Sequence, residues 1–180
     1  MKIIALAGPM GVGKSTTAYL LAAKTPGAVV MSFATPLRAM LSSLLISRGM
    51  SAGEVYDWVH LTERKNVPCP ALNGKTVRHA LQTLGTEWGR DLIDPYIWAD
   101  TAVQRALSGP GELVIFDDAR FDTELERVTA AGGTVYELHR AGIEYPAGHA
   151  SEGQLAGKGI LIDATDGPMA AVKAIMEDPR

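Results

Sequence analysis

Short apolar runs alternate along this chain with stretches whose apolar residues recur at helical spacing. That pattern predicts an α/β fold built on a mainly parallel sheet. Positions 2–7, 28–32, 113–117, 134–139 and 159–163 are the strand candidates. Leu113-Val114-Ile115-Phe116 is apolar without alternation, which suits a strand covered by helices on both faces. Thr35-Pro36 reads as an N-cap followed by proline at the first helical position, and Leu37, Leu41, Leu44 and Leu45 repeat behind it. Asp94-Pro95 gives the same signal ahead of Trp98, Ala102, Val103 and Ala106. A further helix is expected from Gly167-Pro168, carrying Met169, Val172, Ile175 and Met176. Between about 49 and 108 there is no strand pattern, so this stretch is expected to be a helical insertion within one domain spanning 1–180.

Composition narrows the class. The 180 residues are 47% hydrophobic and 21% charged, an ordinary globular balance for one domain. The net charge is −3, and Lys and Arg form no cluster long enough to track a nucleic-acid backbone. A small anionic ligand stays open, since it needs only a few placed cations. The single cysteine, Cys69, excludes an internal disulfide and reads as an unreactive loop thiol between two prolines. The apolar run at 3–7 is too short for the apolar core of a signal peptide, and no stretch nears the ~20 apolar residues of a membrane span. The expectation is a soluble, cytoplasmic protein with no membrane partner.

Gly8-Pro9-Met10-Gly11-Val12-Gly13-Lys14-Ser15 meets every fixed position of G-x-x-x-x-G-K-[ST]. Glycines let the backbone wrap closely around phosphates and turn several N–H groups inward, and the following helix adds its positive dipole end. Lys14 can reach the β- and γ-phosphates of a nucleotide, and the Ser15 hydroxyl can ligate Mg²⁺. An apolar strand before the loop and a helical pattern from Thr16 to Ala23 supply the context that an ordinary glycine-rich turn would lack.

Two other places carry chemistry. The run 113–116 ends in Asp117-Asp118, at the strand edge where open α/β sheets bind ligands. Either aspartate can stand beside Mg²⁺ or serve as a turn or cap, and Arg120 and Glu124 follow on the same edge. In 76–90, at 100° per residue, Val77, Ala80, Leu81, Leu84 and Trp88 fall on one arc and form the expected buried face. Arg78, Gln82, Gly85 and Gly89 fall opposite. Two glycines there are expected to clear space for a ligand, with Arg78 and Arg90 on a phosphate and Gln82 on a base edge. A frayed helix with a solvated arginine face is the plainer alternative. Arg38 is a further phosphate-holding candidate.

These residues resemble the bacteriophage-type deoxynucleoside monophosphate kinases of the P-loop kinase superfamily. The resemblance covers most of the chain. It rests on 8–16, Ser32-Phe33-Ala34-Thr35-Pro36-Leu37-Arg38, Leu81-Gln82-Thr83-Leu84-Gly85-Thr86-Glu87-Trp88-Gly89-Arg90, Asp118-Ala119-Arg120-Phe121 with Glu124, and His149-Ala150-Ser151-Glu152. It implies a three-layer P-loop kinase fold, with a five-stranded sheet between helices and a helical substrate-binding insertion. ATP would bind on Gly11, Val12, Gly13, Lys14, Ser15 and Thr16, with Arg140 from the lid-like segment and Asp166 in the adenine-side loop 163–167. A deoxynucleoside 5′-monophosphate would be lined by Phe33, Arg38, Arg78, Gln82, Gly85, Thr86, Trp88, Arg90 and Glu124. Lys14, Asp118 and Arg120 would be catalytic, and Ser15 and Asp118 would hold Mg²⁺. A lid-like segment is expected at about 140–153, a homodimer is compatible with the chain, and a phage-encoded copy would act in the host cytoplasm, supplying precursors for DNA synthesis. Rival readings are a kinase of another small metabolite, such as dephospho-coenzyme A or a sugar acid, and a non-catalytic ATP-binding regulator. A GTPase would need Asn-Lys-x-Asp, which does not occur.

Overall fold

The computed structural model describes residues 1–61, 63–143, 155 and 157–179. They fall into two compact units, one of Met1–Phe33 with Ala99–Arg180 and the other of Ala34–Trp98.

The first unit is built on a five-stranded sheet: β1 (Lys2–Ala7), β2 (Ala28–Met31), β3 (Leu113–Phe116), β4 (Thr134–His139) and β5 (Ile160–Asp163). The strand order is β2-β3-β1-β4-β5, and every pairing is parallel. Alternation along β1 builds two cores. Ile3, Ala5 and Ala7 join Val114, Phe116, Ala102, Val103, Leu125 and Val128 on the face covered by α5 (Ile97–Ser108) and α6 (Asp122–Ala130). Ile4 and Leu6 join Ile115, Tyr136, Ala18, Leu21, Val172 and Ile175 on the face covered by α1 (Lys14–Lys24) and α7 (Pro168–Glu177). A sheet sandwiched this way demands strands apolar on both sides, which is why β1 and β3 read as unbroken apolar runs. This is the expected three-layer P-loop kinase fold. The chain crosses outward from β1 in both directions, so the crevice beyond the carboxyl ends of β1 and β3 is the switch point where such folds bind ligands.

The second unit holds α2 (Thr35–Ser47), α3 (Ala52–His60), a 3₁₀ turn (Pro70–Leu72), α4 (Val77–Thr83) and a π-helix (Leu84–Ile93). Its core is Leu41, Leu45, Val55, Val59, Cys69 and Val77. Cys69 lies in a loop, as expected, and is buried there in this core.

Three helix signals behave differently from expectation. The N-cap of α2 is Ala34, so Thr35 is already helical and Pro36 sits one position deeper. Asp94 does start a turn, its carboxylate accepting from the Tyr96 N–H at 2.9 Å, but α5 itself begins at Ile97. In α7 the buried positions are Ala171, Val172 and Ile175, while Met169 and Met176 face outward. Small alanines allow α7 to lie close to its neighbours, and the larger methionines stay outside.

Candidate functional site

β1 delivers the chain into the glycine loop at the sheet's switch point. Gly8 has φ 134°, and a Cβ there would stand 2.6 Å from the Leu138 carbonyl oxygen, so only glycine lets the loop pass β4. Gly13, at φ 104°, caps α1, and its carbonyl accepts from the Thr17 N–H at 2.8 Å. The Lys14 ammonium lies along the loop, donating to the carbonyls of Gly8 at 2.5 Å and Pro9 at 2.9 Å. Val12 is buried and anchors the loop in the core, while Gly11, Ser15 and Thr16 are exposed around the amino end of α1.

The β5–α7 loop closes one side. Pro168 Cγ would sit 3.4 Å from a Cβ on Gly13. The Ala164 N–H donates to His139 O at 2.7 Å, and the Ala141 N–H donates to Thr165 Oγ1 at 3.2 Å. Asp163 accepts from the Thr165 N–H at 2.8 Å, and hydrogen bonds from Thr165 hold its carboxyl below the usual range. Arg140 and Asp166 are exposed on the two loops so joined. The lid positions 144–153, including His149, Ser151 and Glu152, lie outside the described residues.

At the end of β3 the two aspartates part company. Phe116 pairs with Ala5, so the same register carried on sets Asp118 level with Ala7, where the phosphate loop begins. Asp117 continues the strand, its N–H donating to Met31 O at 3.2 Å. Two residues beyond Ile115, it shares the sheet face covered by α1. Asp118 instead ties β3 to the end of β2: it accepts from the Phe33 N–H at 2.8 Å and from the Ser32 hydroxyl.

Glu124 is 3% exposed and bends back to accept from the N–H groups of Arg120 at 2.7 Å and Phe121 at 3.1 Å. It holds the start of α6 and the turn carrying Arg120, rather than lining an acceptor site as expected. Phe33 is likewise not a lining residue. It is 2% exposed and its ring stacks on Phe116 with centroids 4.3 Å apart. Arg120 itself is exposed.

The second unit carries the remaining acceptor candidates. Arg38 stands in the first turn of α2, close enough to His60 for its charge, with that of Lys65, to add to the effect of burial in lowering the histidine's pKa. The Arg78 Nε–H donates to Asn66 Oδ1 at 2.6 Å, and the Arg78 main-chain N–H donates to Lys65 O at 3.0 Å. The segment 65–66 therefore aims Arg78, a role that nothing in the sequence pattern signals.

The glycine face requires correction. After Thr83 the helix widens into a π-helix, and Gly85 and Gly89 are buried while Trp88 is 39% exposed. A Cβ on Gly89 would lie 2.4 Å from the indole of Trp98, and one on Gly85 would meet Leu37 at 3.4 Å. The glycines clear space for Trp98 and Leu37, not for a ligand. Gln82, Thr86 and Trp88 are the exposed positions, with Arg90 half-buried and donating to Gly85 O at 3.2 Å.

No cluster of three or more His, Cys, Asp or Glu side chains occurs among the described residues. Mg²⁺ at a phosphate loop takes one hydroxyl, phosphate oxygens and waters rather than an all-protein cage. The donor set present, the exposed Ser15 hydroxyl with a carboxylate ending the adjacent strand, suits the ion. No helix among the described residues is long and apolar enough to cross a membrane.

Comparison with known proteins agrees with this reading of the fold. No family model matches the sequence. A protein of Acanthamoeba polyphaga mimivirus named "Putative deoxynucleotide monophosphate kinase" is 29% identical over 166 residues, covering 86% of this chain and 82% of the relative. It bears out the resemblance read from the motifs. Among solved structures, a shikimate kinase from Bacteroides thetaiotaomicron superposes with TM-score 0.51 at 14% identity, covering 98% of this chain and 97% of that one. A gluconokinase from Sinorhizobium meliloti 1021 reaches TM-score 0.40 at 14% identity, covering 98% of this chain and 94% of that one.

Proposed function

We propose that this protein transfers the γ-phosphoryl group of ATP to a deoxynucleoside 5′-monophosphate. The observation that carries the reading is the union, on one chain, of a folded phosphate loop and a helical unit bearing Arg38, Arg78, Arg90 and an exposed Trp88. The first is what a phosphoryl donor needs. The second is what a nucleotide acceptor needs: a fork of cations for its phosphate and an aromatic face for its base. The name of the viral relative points the same way.

The acceptor needs no strong general base. Its phosphate has a second pKa near 6, like other phosphate monoesters, so the attacking oxygen is anionic at neutral pH. The obstacle is bringing two anions together, and the residues present answer it by charge and position. The Lys14 ammonium, resting against two neutral carbonyls, gains stronger acceptors in the oxygens of a polyphosphate. Main-chain N–H groups at the start of α1 face the same charge. Arg120, whose turn is held by Glu124, is given the role of steadying the transferring group. Arg38, Arg78 and Arg90 hold the acceptor phosphate, and Trp88 meets the base. When bound, Mg²⁺ supplies charge neutralisation at the β- and γ-phosphates, with Ser15 as its protein ligand. Of the two aspartates, Asp117 shares the α1 face and is the carboxylate assigned to the metal side. Asp118 keeps the β2–β3 tie.

The test is ADP release measured across all deoxynucleoside and ribonucleoside monophosphates, for the wild type and for Lys14→Ala. Turnover that depends on a deoxynucleoside monophosphate and falls by several orders of magnitude in Lys14→Ala is expected. ATP binding without turnover on any nucleotide would overturn the acceptor assignment and leave a kinase of another small metabolite or a regulator. Near-normal turnover in a folded Lys14→Ala protein would overturn the loop's role.

A further inference from the structure

The turn that carries Arg90 and Trp88 is held from outside the helix. In a π-helix the bonded carbonyl lies five residues back, as in the Asp94 N–H donating to Gly89 O at 2.9 Å. The Gly85 carbonyl receives two side-chain donors. One is Trp98 Nε1–H at 2.8 Å, in a buried bond; the other is Arg90 Nη1–H at 3.2 Å. The same indole is 4% exposed, fills the notch over Gly89, and lies 6.1 Å from the Trp88 ring at 40°. One side chain therefore touches the carbonyl that orients Arg90, the backbone between Arg90 and Trp88, and the Trp88 ring.

We propose that Trp98 is a positioning residue for the acceptor: its indole N–H fixes the Gly85 carbonyl, which in turn fixes the Arg90 guanidinium, while its ring sets the tilt of Trp88. The inference rests on the reading that this helix binds the acceptor monophosphate. A guanidinium offers five donors in a rigid fork, so anchoring one N–H fixes the direction of the rest. Without the indole N–H the carbonyl loses its anchor from outside the helix, and the fork bonded to it is held less tightly. The ring pair also forms a built-in reporter, since two indoles this close couple in circular dichroism.

The experiment compares Trp98→Phe, Arg90→Ala and the double variant in steady-state kinetics, varying ATP and the deoxynucleoside monophosphate separately. Losing one neutral hydrogen bond should raise the acceptor KM of Trp98→Phe about threefold to tenfold, with the KM for ATP within about twofold of wild type. In the Arg90→Ala background the same change should add less than about twofold, because both act through one carbonyl. A simple structural role would make the two effects multiply. If Arg90→Ala leaves the acceptor KM unchanged, the acceptor reading itself fails. If Arg90→Ala raises it while Trp98→Phe does not, or the two effects multiply, the positioning role is overturned and the reading stands. Should Trp98→Phe fail to fold, the otherwise unaltered Trp58→Phe protein serves, with Trp88 and Trp98 as its remaining indoles. Saturating deoxynucleoside monophosphate, but not ATP alone, should change their exciton signal, and an unchanged signal overturns the proposal.

Discussion

Gly89→Ala and Gly85→Ala should move stability in opposite directions. An added Cβ at Gly89 would lie 2.4 Å from Trp98 Cζ2 and 2.5 Å from Nε1. Carbon atoms pack best at about 3.5–4.0 Å, so the ring must retreat by roughly 1 Å or more. It is enclosed, and its N–H is committed to Gly85 O at 2.8 Å. Overpacking costs about 1–3 kcal/mol, and a weakened hydrogen bond adds about 0.5–1.5 kcal/mol. Alanine's better helix propensity offsets about 1 kcal/mol. The net is a loss of about 1–3 kcal/mol, which for a chain of this length lowers Tm by roughly 2–10 °C. At Gly85 the nearest atom to the new Cβ is the flexible Leu37 Cδ1 at 3.4 Å, close to ordinary contact. There propensity should prevail, leaving Tm unchanged or raised by up to about 4 °C. Thermal unfolding followed by circular dichroism at matched protein concentration measures both. A Gly89→Ala protein as stable as wild type would mean that the indole is not seated on Gly89, and the packing argument would fall.

The two aspartates should separate by assay. Asp118→Asn loses charge-assisted bonds to Ser32 and Phe33, worth about 1.5–3 kcal/mol each, and should lower Tm by several degrees. Asp117→Asn should erase the preference for Mg-ATP over metal-free ATP in calorimetric binding, and loss of that preference in Asp118→Asn but not in Asp117→Asn returns the metal role to Asp118. Asn66→Ala, removing the 2.6 Å bond that aims Arg78, should raise the acceptor KM severalfold and leave the KM for ATP alone, and equal effects on both substrates would refute it. Hydrogen bonds from Thr165 to its charged form hold the Asp163 carboxyl below the ordinary aspartate range. They therefore contribute stability above the ordinary carboxylate range and lose it as pH falls through the lowered pKa. Thr165→Val should return the Asp163 carboxyl toward 3.8 in an NMR titration, and an unmoved value would remove Thr165 as the cause.

Local chemistry determined much of this protein directly. The five strands, the glycine loop between β1 and α1, and the acidic end of β3 are all legible, because each rests on neighbouring residues obeying a short-range rule. Apolar runs must be buried on two faces, and G-x-x-x-x-G-K-[ST] needs only its own backbone to make a phosphate cradle. The glycine face was misplaced for a definite reason. Periodicity at 100° per residue assumes an α-helix, whereas from Leu84 on the chain is a π-helix in which Gly85 and Gly89 are buried and Trp88 is exposed. The side chain that bonds the Gly85 carbonyl lies thirteen residues on, at Trp98. Phe33, Glu124 and Asp118 tell the same story. Their types suit a nucleotide site, yet Phe33 fills the core against Phe116, Glu124 caps α6, and Asp118 reaches back 85 residues to Phe33. A polar or aromatic side chain goes to whichever partner lies nearest in space, and only the tertiary structure decides which partner that is.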